Sequence, residues 1–206
     1  MGADPKNQPS RPEDKSTDCV VIPLRRPALA ERTDDELMQL ASAGVSDAFS
    51  QLVRRHAGQV RSYCTRRCGG AAQGDDVAQE VFVELWRTRA RYEPRGKFRS
   101  YLFTIVQTRV LNAVRRRPRE VELAHDIPLP GRELDAVLEA ERVRRLHQKL
   151  SLLPHQLQEA VWLRYAAGLD YGEMAGVLQR SPSTIRSRVF HGLLRLRKLL
   201  GKDGDP

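Results

Sequence analysis

The sequence predicts an all-α protein built from two small helical domains. Three observations carry this. Apolar residues recur three and four apart from Leu37 to Leu200, the period of helices with one buried face. No segment sustains the alternation of a half-buried strand. Between the two helical stretches, Pro118, Pro128, Pro130 and Gly131 break the pattern, because Pro lacks the amide proton and clashes with the preceding turn. The expected division is a disordered tail over 1–32, a helical domain over 33–117, a linker over 118–134 and a second helical domain over 135–202.

In the tail, Pro5, Pro9, Pro12, Pro23 and Pro27 stand among scattered charges, a composition that cannot bury enough surface to fold alone. Its apolar patch, Val20 to Leu24, is long enough only to dock on a partner. Thr33 caps the first helix, and Glu36 completes a capping box. Leu37, Leu40 and Ala41 form its inner face. Ala48, Phe49, Leu52, Val53, Val60, Tyr63 and Cys64 continue at helical spacing until Gly69 and Gly70. Asp75 or Asp76 is the expected start of the next helix, whose stripe is Val77, Val81, Phe82, Leu85 and Trp86. Arg87 to Lys97 reads as an Arg-dense loop around Pro94 and Gly96. Phe98 to Arg117 reads as one long helix, with Leu102, Ile105, Val106, Arg109, Val110 and Ala113 inward. Its end gathers Arg115, Arg116, Arg117 and Arg119, more cations than the helix dipole calls for.

In the second half, Asp135 to Leu152 is amphipathic and Pro154 opens a helix over His155 to Tyr165. The most informative stretch is Leu169 to Leu200. Asp170 caps its first helix with Glu173 three residues on. Ser181 followed by Pro182 starts the second. Gln179 to Pro182 suits the tight turn of a helix-turn-helix, whose second helix enters the DNA major groove. At about 100° per residue, Ile185, Val189, Leu193, Leu196 and Leu200 gather on the packed side. Ser183, Ser187, Phe190 and His191 lie opposite, flanked by Arg186, Arg188 and Arg195. An aromatic away from the apolar stripe can pack on a thymine methyl, while Ser and Arg donate to base edges and phosphates.

Composition agrees with a nucleic-acid partner. The 206 residues carry a net charge of +9, from 35 Lys+Arg against 26 Asp+Glu. Most of the bases are Arg, the residue suited to bidentate phosphate and guanine contacts. No apolar run approaches the roughly 18 residues of a membrane span. The N-terminus lacks the basic-then-apolar order of a secretion signal, so a cytoplasmic location and no membrane insertion are expected. Cys64 and Cys68 sit one helical turn apart, but no second ligand pair follows. With Cys19 they read as small buried or half-buried thiols, with no metal expected. His56, His125, His147, His155 and His191 are scattered, and no phosphate-cradling Gly loop is present. Neither an enzyme nor a cofactor is expected.

Two basic helical modules in this order resemble bacterial sigma factors of the extracytoplasmic-function (ECF) type. The words that carry the resemblance are AFSQLVRRHAGQV (Ala48–Val60), DDVAQEVFVELWR (Asp75–Arg87) and RYEPRGKFRSYLFTIVQTRVLNAVRRR (Arg91–Arg117). In the second domain they are LPHQLQEAVWLRYAAGLDYGEMAGVL (Leu153–Leu178) and SPSTIRSRVFHGLLRLRKLL (Ser181–Leu200). The resemblance implies a promoter-specificity subunit of RNA polymerase, with partners in core polymerase, promoter DNA and an anti-sigma factor. It places Asp76, Gln79, Glu80, Val83, Glu84 and Trp86 on or near polymerase. It makes Tyr92 to Phe98 the loop that captures a base of the −10 element, with Tyr92, Arg95, Lys97 and Phe98 in it. Arg109, Asn112, Arg115 and Arg116 would follow the DNA backbone or read bases upstream. For the −35 element it implies Arg186, Ser187, Phe190 and His191 as readers and Arg164, Tyr171 and Ser183 as phosphate anchors. Many family members carry Trp where Tyr101 stands, Asn where Thr108 stands and Arg where His191 stands. The rival reading is a free-standing helix-turn-helix regulator, which leaves Asp75–Trp86 and Arg91–Arg117 without a role.

Overall fold

The computed structural model describes residues 28–116 and 145–201. Most of the expected tail and the whole expected linker lie outside the described residues. So does the first part of the helix expected from Asp135. Within the described residues the chain is helical and contains no strand.

Helices α1 (Asp34–Ser42), α2 (Ser46–Cys68), α3 (Ala71–Thr88) and α4 (Phe98–Arg115) form the first group. Helical residues 145–151 (α5), α6 (His155–Tyr165), α7 (Tyr171–Leu178) and α8 (Pro182–Gly201) form the second. Short 3-10 turns cover Leu29–Glu31 and Arg89–Arg91. Both capping boxes expected from the sequence are present, Thr33 with Glu36 and Asp170 with Glu173. Each satisfies two backbone N–H groups that the first turn would otherwise leave unpaired. Ser181 Oγ accepts from the Thr184 N–H at 3.3 Å, so the cap before Pro182 also forms.

Two expectations need correction. Helix α3 begins at Ala71 rather than at Asp75 or Asp76. Asp75 is engaged across the helix pair instead, taking Arg61 Nε at 2.5 Å and Nη2 at 2.8 Å. On α8 the buried positions are Ile185, Val189, Gly192 and Leu196, whereas Leu193 and Leu200 are 37% and 44% exposed. Gly192 takes the place assigned to Leu193 because α6 approaches too closely for a side chain. A Cβ there would lie 2.6 Å from Val161 Cγ2 and 3.2 Å from the Leu157 carbonyl oxygen.

The two groups of helices share one core. Leu52, Leu85, Leu102 and Phe103 from the first belong to the same buried cluster as Leu163, Met174, Ile185 and Val189 from the second. Trp162 of α6 lies between them, its ring 4.9 Å from Tyr63 and 5.6 Å from Phe103. An aromatic of this size removes a large apolar area from water, and edge-on ring contacts add to that gain.

Candidate polymerase and promoter surfaces

The outer face of α3 is built by its own period. Val77, Ala78, Val81 and Leu85 turn inward, which leaves Asp76, Gln79, Glu80 and Val83 exposed. Val83 is 58% exposed, an aliphatic group surrounded by acidic and amide neighbours. A concavity lined by Asp76, Gln79, Glu80, Val83, Glu84, Arg87 and Arg109 runs along this face. Glu84 is held by Arg109 Nη2 at 2.7 Å, so a residue expected on the polymerase side and one expected on the −10 side are ion-paired. Trp86 is half-buried, edge-on to Phe49 at 4.9 Å, with the Arg89 guanidinium 3.8 Å above its ring. It supports the end of α3 more than it offers a surface.

The loop before α4 has a polar exterior and an aromatic floor. Arg95 and Lys97 are exposed, and Arg95 pairs with Glu93. Tyr92 is half-buried, stacked near Tyr101 and Phe98 with ring centroids 5.0 and 6.0 Å apart. Phe98 is only 2% exposed and packs 5.3 Å from the His56 ring. Phe98, expected at the −10 element, thus lies buried where the loop meets α4. Along α4, Asn112, Arg115 and Arg116 are exposed, and cations grouped on one side of a helix suit a phosphate backbone.

The helix-turn-helix is scaffolded by residues that sequence spacing places only on its surface. Arg164 Nη1 donates to the Leu169 carbonyl at 2.9 Å, which ties α6 to the turn before α7. The Tyr171 ring lies under two guanidinium groups, Arg164 at 5.0 Å and Arg186 at 5.7 Å. Arg164 and Tyr171 are thus half-buried and linked to Arg186, while Ser183, Arg186, Ser187, Phe190 and His191 are exposed. Phe190 is 63% exposed, with His191 edge-on at 5.4 Å. Gln179, with φ 52°, makes the turn that swings α8 away from α7.

Several functionally placed residues escape sequence reading. Glu159 of α6 is 7% exposed and meets Tyr63, Gln107 and Arg67 of the first helix group. Asp34 receives Arg55 Nη1 and His56 Nε2, each at 2.8 Å. Burial alone would raise the Asp34 pKa, but the hydrogen bonds and charges of His56 and Arg55 outweigh it and hold the carboxyl at about 2. Cys64 and Cys68 are buried without a disulfide, and burial with the neighbouring Cys68 pushes the Cys64 thiol up to about 12. At that value it stays protonated and unreactive. Among the described residues, no group of His, Cys, Asp and Glu could hold a metal ion, and no helix is long and apolar enough to cross a membrane.

Comparison with known proteins follows the same division. The family model for Sigma-70 region 2 matches residues 52–120, and that for Sigma-70 region 4 matches residues 143–196. The RNA polymerase sigma factor CarQ of Myxococcus xanthus is 31% identical over 162 residues, covering 77% of this chain and 92% of its own length. The ECF RNA polymerase sigma factor SigK of Mycolicibacterium vanbaalenii is 30% identical over 185 residues, covering 86% and 93%. Among solved structures, CnrH in complex with the cytosolic domain of CnrY aligns with a TM-score of 0.60 at 28% identity, over 83% of this chain and 99% of that one. The sigma factor RpoE of Bartonella quintana, solved with the anti-sigma factor NepR, shares the fold, with a TM-score of 0.62 at 22% identity over 74% and 96%.

Proposed function

The chain belongs to the ECF sigma factors of bacterial RNA polymerase, and from that premise we propose how its surfaces divide the work. As a member of that family it binds core polymerase and directs promoter-specific initiation. Residues 33–117 form the unit that meets polymerase and opens the −10 element, and residues 135–202 form the unit that reads the −35 element. The residues between them, over 118–134, are the linker. On α3, Asp76, Gln79, Glu80, Val83 and Glu84 make the polymerase contact, with Trp86 bracing it from within. Arg95 and Lys97 hold phosphates at the −10 element, and Tyr92 helps to shape the pocket for an extruded base. Asn112, Arg115 and Arg116 continue that track along α4, with Arg109 joining it when its pairing with Glu84 opens. Opening a duplex needs exactly these two kinds of group, cations for the backbone and an aromatic surface for an unstacked base.

On α8, Arg186, Ser187, Phe190 and His191 read the −35 bases, with Ser183 on a neighbouring phosphate. Tyr171 acts by holding Arg186 in place and Arg164 by tying α6 to the turn before α7, as well as by touching the backbone. No chemistry is assigned to the chain: sigma factors are not in general catalytic, and polymerase forms the phosphodiester bonds. A cytoplasmic location follows from that partnership. We infer an anti-sigma partner too, since CnrH was solved holding the cytosolic domain of CnrY.

The observation that carries this reading is that one chain matches both sigma regions and presents an exposed basic face in each. The test is assembly. Purified chain mixed with core polymerase is expected to co-elute with it and to start run-off transcripts at a defined promoter. A chain that binds duplex DNA alone, and neither joins core nor initiates, would be a free-standing regulator.

A further inference from the structure

A loop reads a base only if something fixes its shape, and in this chain that something lies far away in sequence. The Tyr92 hydroxyl donates to Asp35 Oδ1 at 2.5 Å. The Gly96 N–H donates to the same oxygen at 3.0 Å. One carboxylate oxygen of α1 therefore closes Glu93, Pro94 and Arg95 from both sides. Gly96 sits at φ 68°, a left-handed conformation that residues with a side chain rarely adopt. Glycine enters that region without strain but is equally free to leave it, so the backbone alone does not fix the turn and the Asp35 contacts do.

Asp35 is available for this because α1 does not need it as a cap. Thr33 and Glu36 already complete the capping box. The neighbouring Asp34 pins the same turn to α2 through Arg55 and His56. Arg55 also donates to the carbonyls of Ala30 at 2.6 Å and Arg32 at 2.7 Å, so the approach to α1 is fixed as well. His56 in turn packs against Phe98, where α4 begins. Both ends of the loop are thus referred to one rigid point, the first turn of α1. Burial, then the Asp35 hydrogen bond and charge, push the Tyr92 pKa up, so its hydroxyl remains a donor committed to Asp35.

We propose that Asp35 is a positioning residue for promoter reading: through Tyr92 and Gly96 it holds the 92–98 loop in the shape that presents Arg95 and Lys97 to the −10 element. It touches no DNA itself. This rests on the assignment of the loop to the −10 element made above.

The experiment uses the full chain assembled with core polymerase, on templates with a fixed −35 element and a randomised −10 window. Asp35→Ala is expected to lower initiation about tenfold or more on the preferred −10 sequence and to flatten the preference, since both lost hydrogen bonds end on one charged acceptor. Affinity for core polymerase and for a −35 duplex should change by less than about twofold. Asp35→Asn should recover most of the activity, because its amide oxygen still accepts from Tyr92 and Gly96. Unchanged rate and preference in Asp35→Ala, while Lys97→Ala lowers initiation on all −10 sequences alike, would overturn the positioning role and leave the loop assignment standing. An unchanged rate in Lys97→Ala as well would overturn both. Loss of core affinity in step with initiation would show a merely structural residue and also overturn the proposal. If Asp35→Ala does not fold, Tyr92→Phe removes one of the two bonds and should give a smaller loss in the same direction. No loss in Tyr92→Phe would count against the proposal.

Discussion

Tyr63 of α2 and Glu159 of α6 meet at 2.8 Å, hydroxyl to carboxylate, and both are buried. The Tyr63 hydroxyl also lies 2.7 Å from Gln107 Oε1. Its single proton serves one acceptor at a time, and the charge of the carboxylate makes Glu159 the stronger. Glu159 Oε1 also accepts from Gln107 Nε2 at 3.1 Å and faces Arg67 at 3.6 Å. One buried carboxylate therefore gathers three groups from α2 and α4 and ties the two helix groups together.

Removing it should open that junction. Glu159→Ala leaves a hydroxyl, an amide and a guanidinium without their shared acceptor, at a cost of about 1–3 kcal/mol or more. Small-angle scattering of the isolated chain should show a larger radius of gyration. Tyr63→Phe, which removes one donor and leaves the others paired, should give a smaller change.

The same junction should respond to pH. Partial desolvation of the otherwise exposed His155 ring and the Arg67 charge lower its pKa from the ordinary 6.5, against a smaller opposing effect of Glu159. Protonation is therefore easier in the open state than in the packed one. The packing is at full strength above pH 6.5 and weakens as pH falls below it. Scattering from pH 7.5 to 5.5 should show expansion, and His155→Gln should reduce that slope.

Asp34 gives the same sign in a more acidic window. Its carboxyl is held at about 2 against an ordinary 3.8, so its contribution is present above pH 4 and is lost as pH falls toward 2. Partial solvent screening sets its size at about 1–2 kcal/mol. Asp34→Asn should be less stable than the natural chain by that amount at neutral pH. In chemical denaturation the two stabilities should converge as pH falls toward 2.

Close packing of α8 on α6 predicts a cost for the smallest possible addition. Gly192→Ala drives a methyl against Val161 and the Leu157 carbonyl. It should destabilise the chain by about 1–3 kcal/mol, measurable as a lower denaturation midpoint. Affinity for a −35 duplex should fall with it, although Gly192 faces away from Phe190 and His191.

Most of the fold was legible because its signals are local. Capping boxes at Thr33 and Asp170, the Ser181–Pro182 start and the apolar periods of α2 and α3 each involve residues within a turn or two. What was not legible is set by residues far apart in sequence. Glu159 reads as one polar position in HQLQEAVWL, and nothing nearby reveals that it meets Tyr63, 96 positions earlier. Asp35 reads as one of three acids in the first turn of α1, a pattern the helix dipole explains on its own. Leu193 outranks Gly192 on any hydrophobic wheel, since a wheel does not know how near the next helix comes. Phe98 stands in a basic block that draws attention to DNA, although its place four residues before Leu102 already puts it on the inward stripe. On the promoter side, the exposed set on α8 was legible because the face opposite a buried stripe follows from helix geometry alone.

The central claim is that one chain reads two promoter elements with two separate surfaces. The most direct measurement is run-off transcription by the reconstituted holoenzyme on a promoter library randomised in both windows. Arg186→Ala should relax the preference at one upstream position, by about 1–3 kcal/mol, and leave the −10 preference intact. Arg95→Ala should weaken or relax the −10 element and leave the upstream preference intact. If both substitutions altered the same window, or if neither altered any, the account would be contradicted.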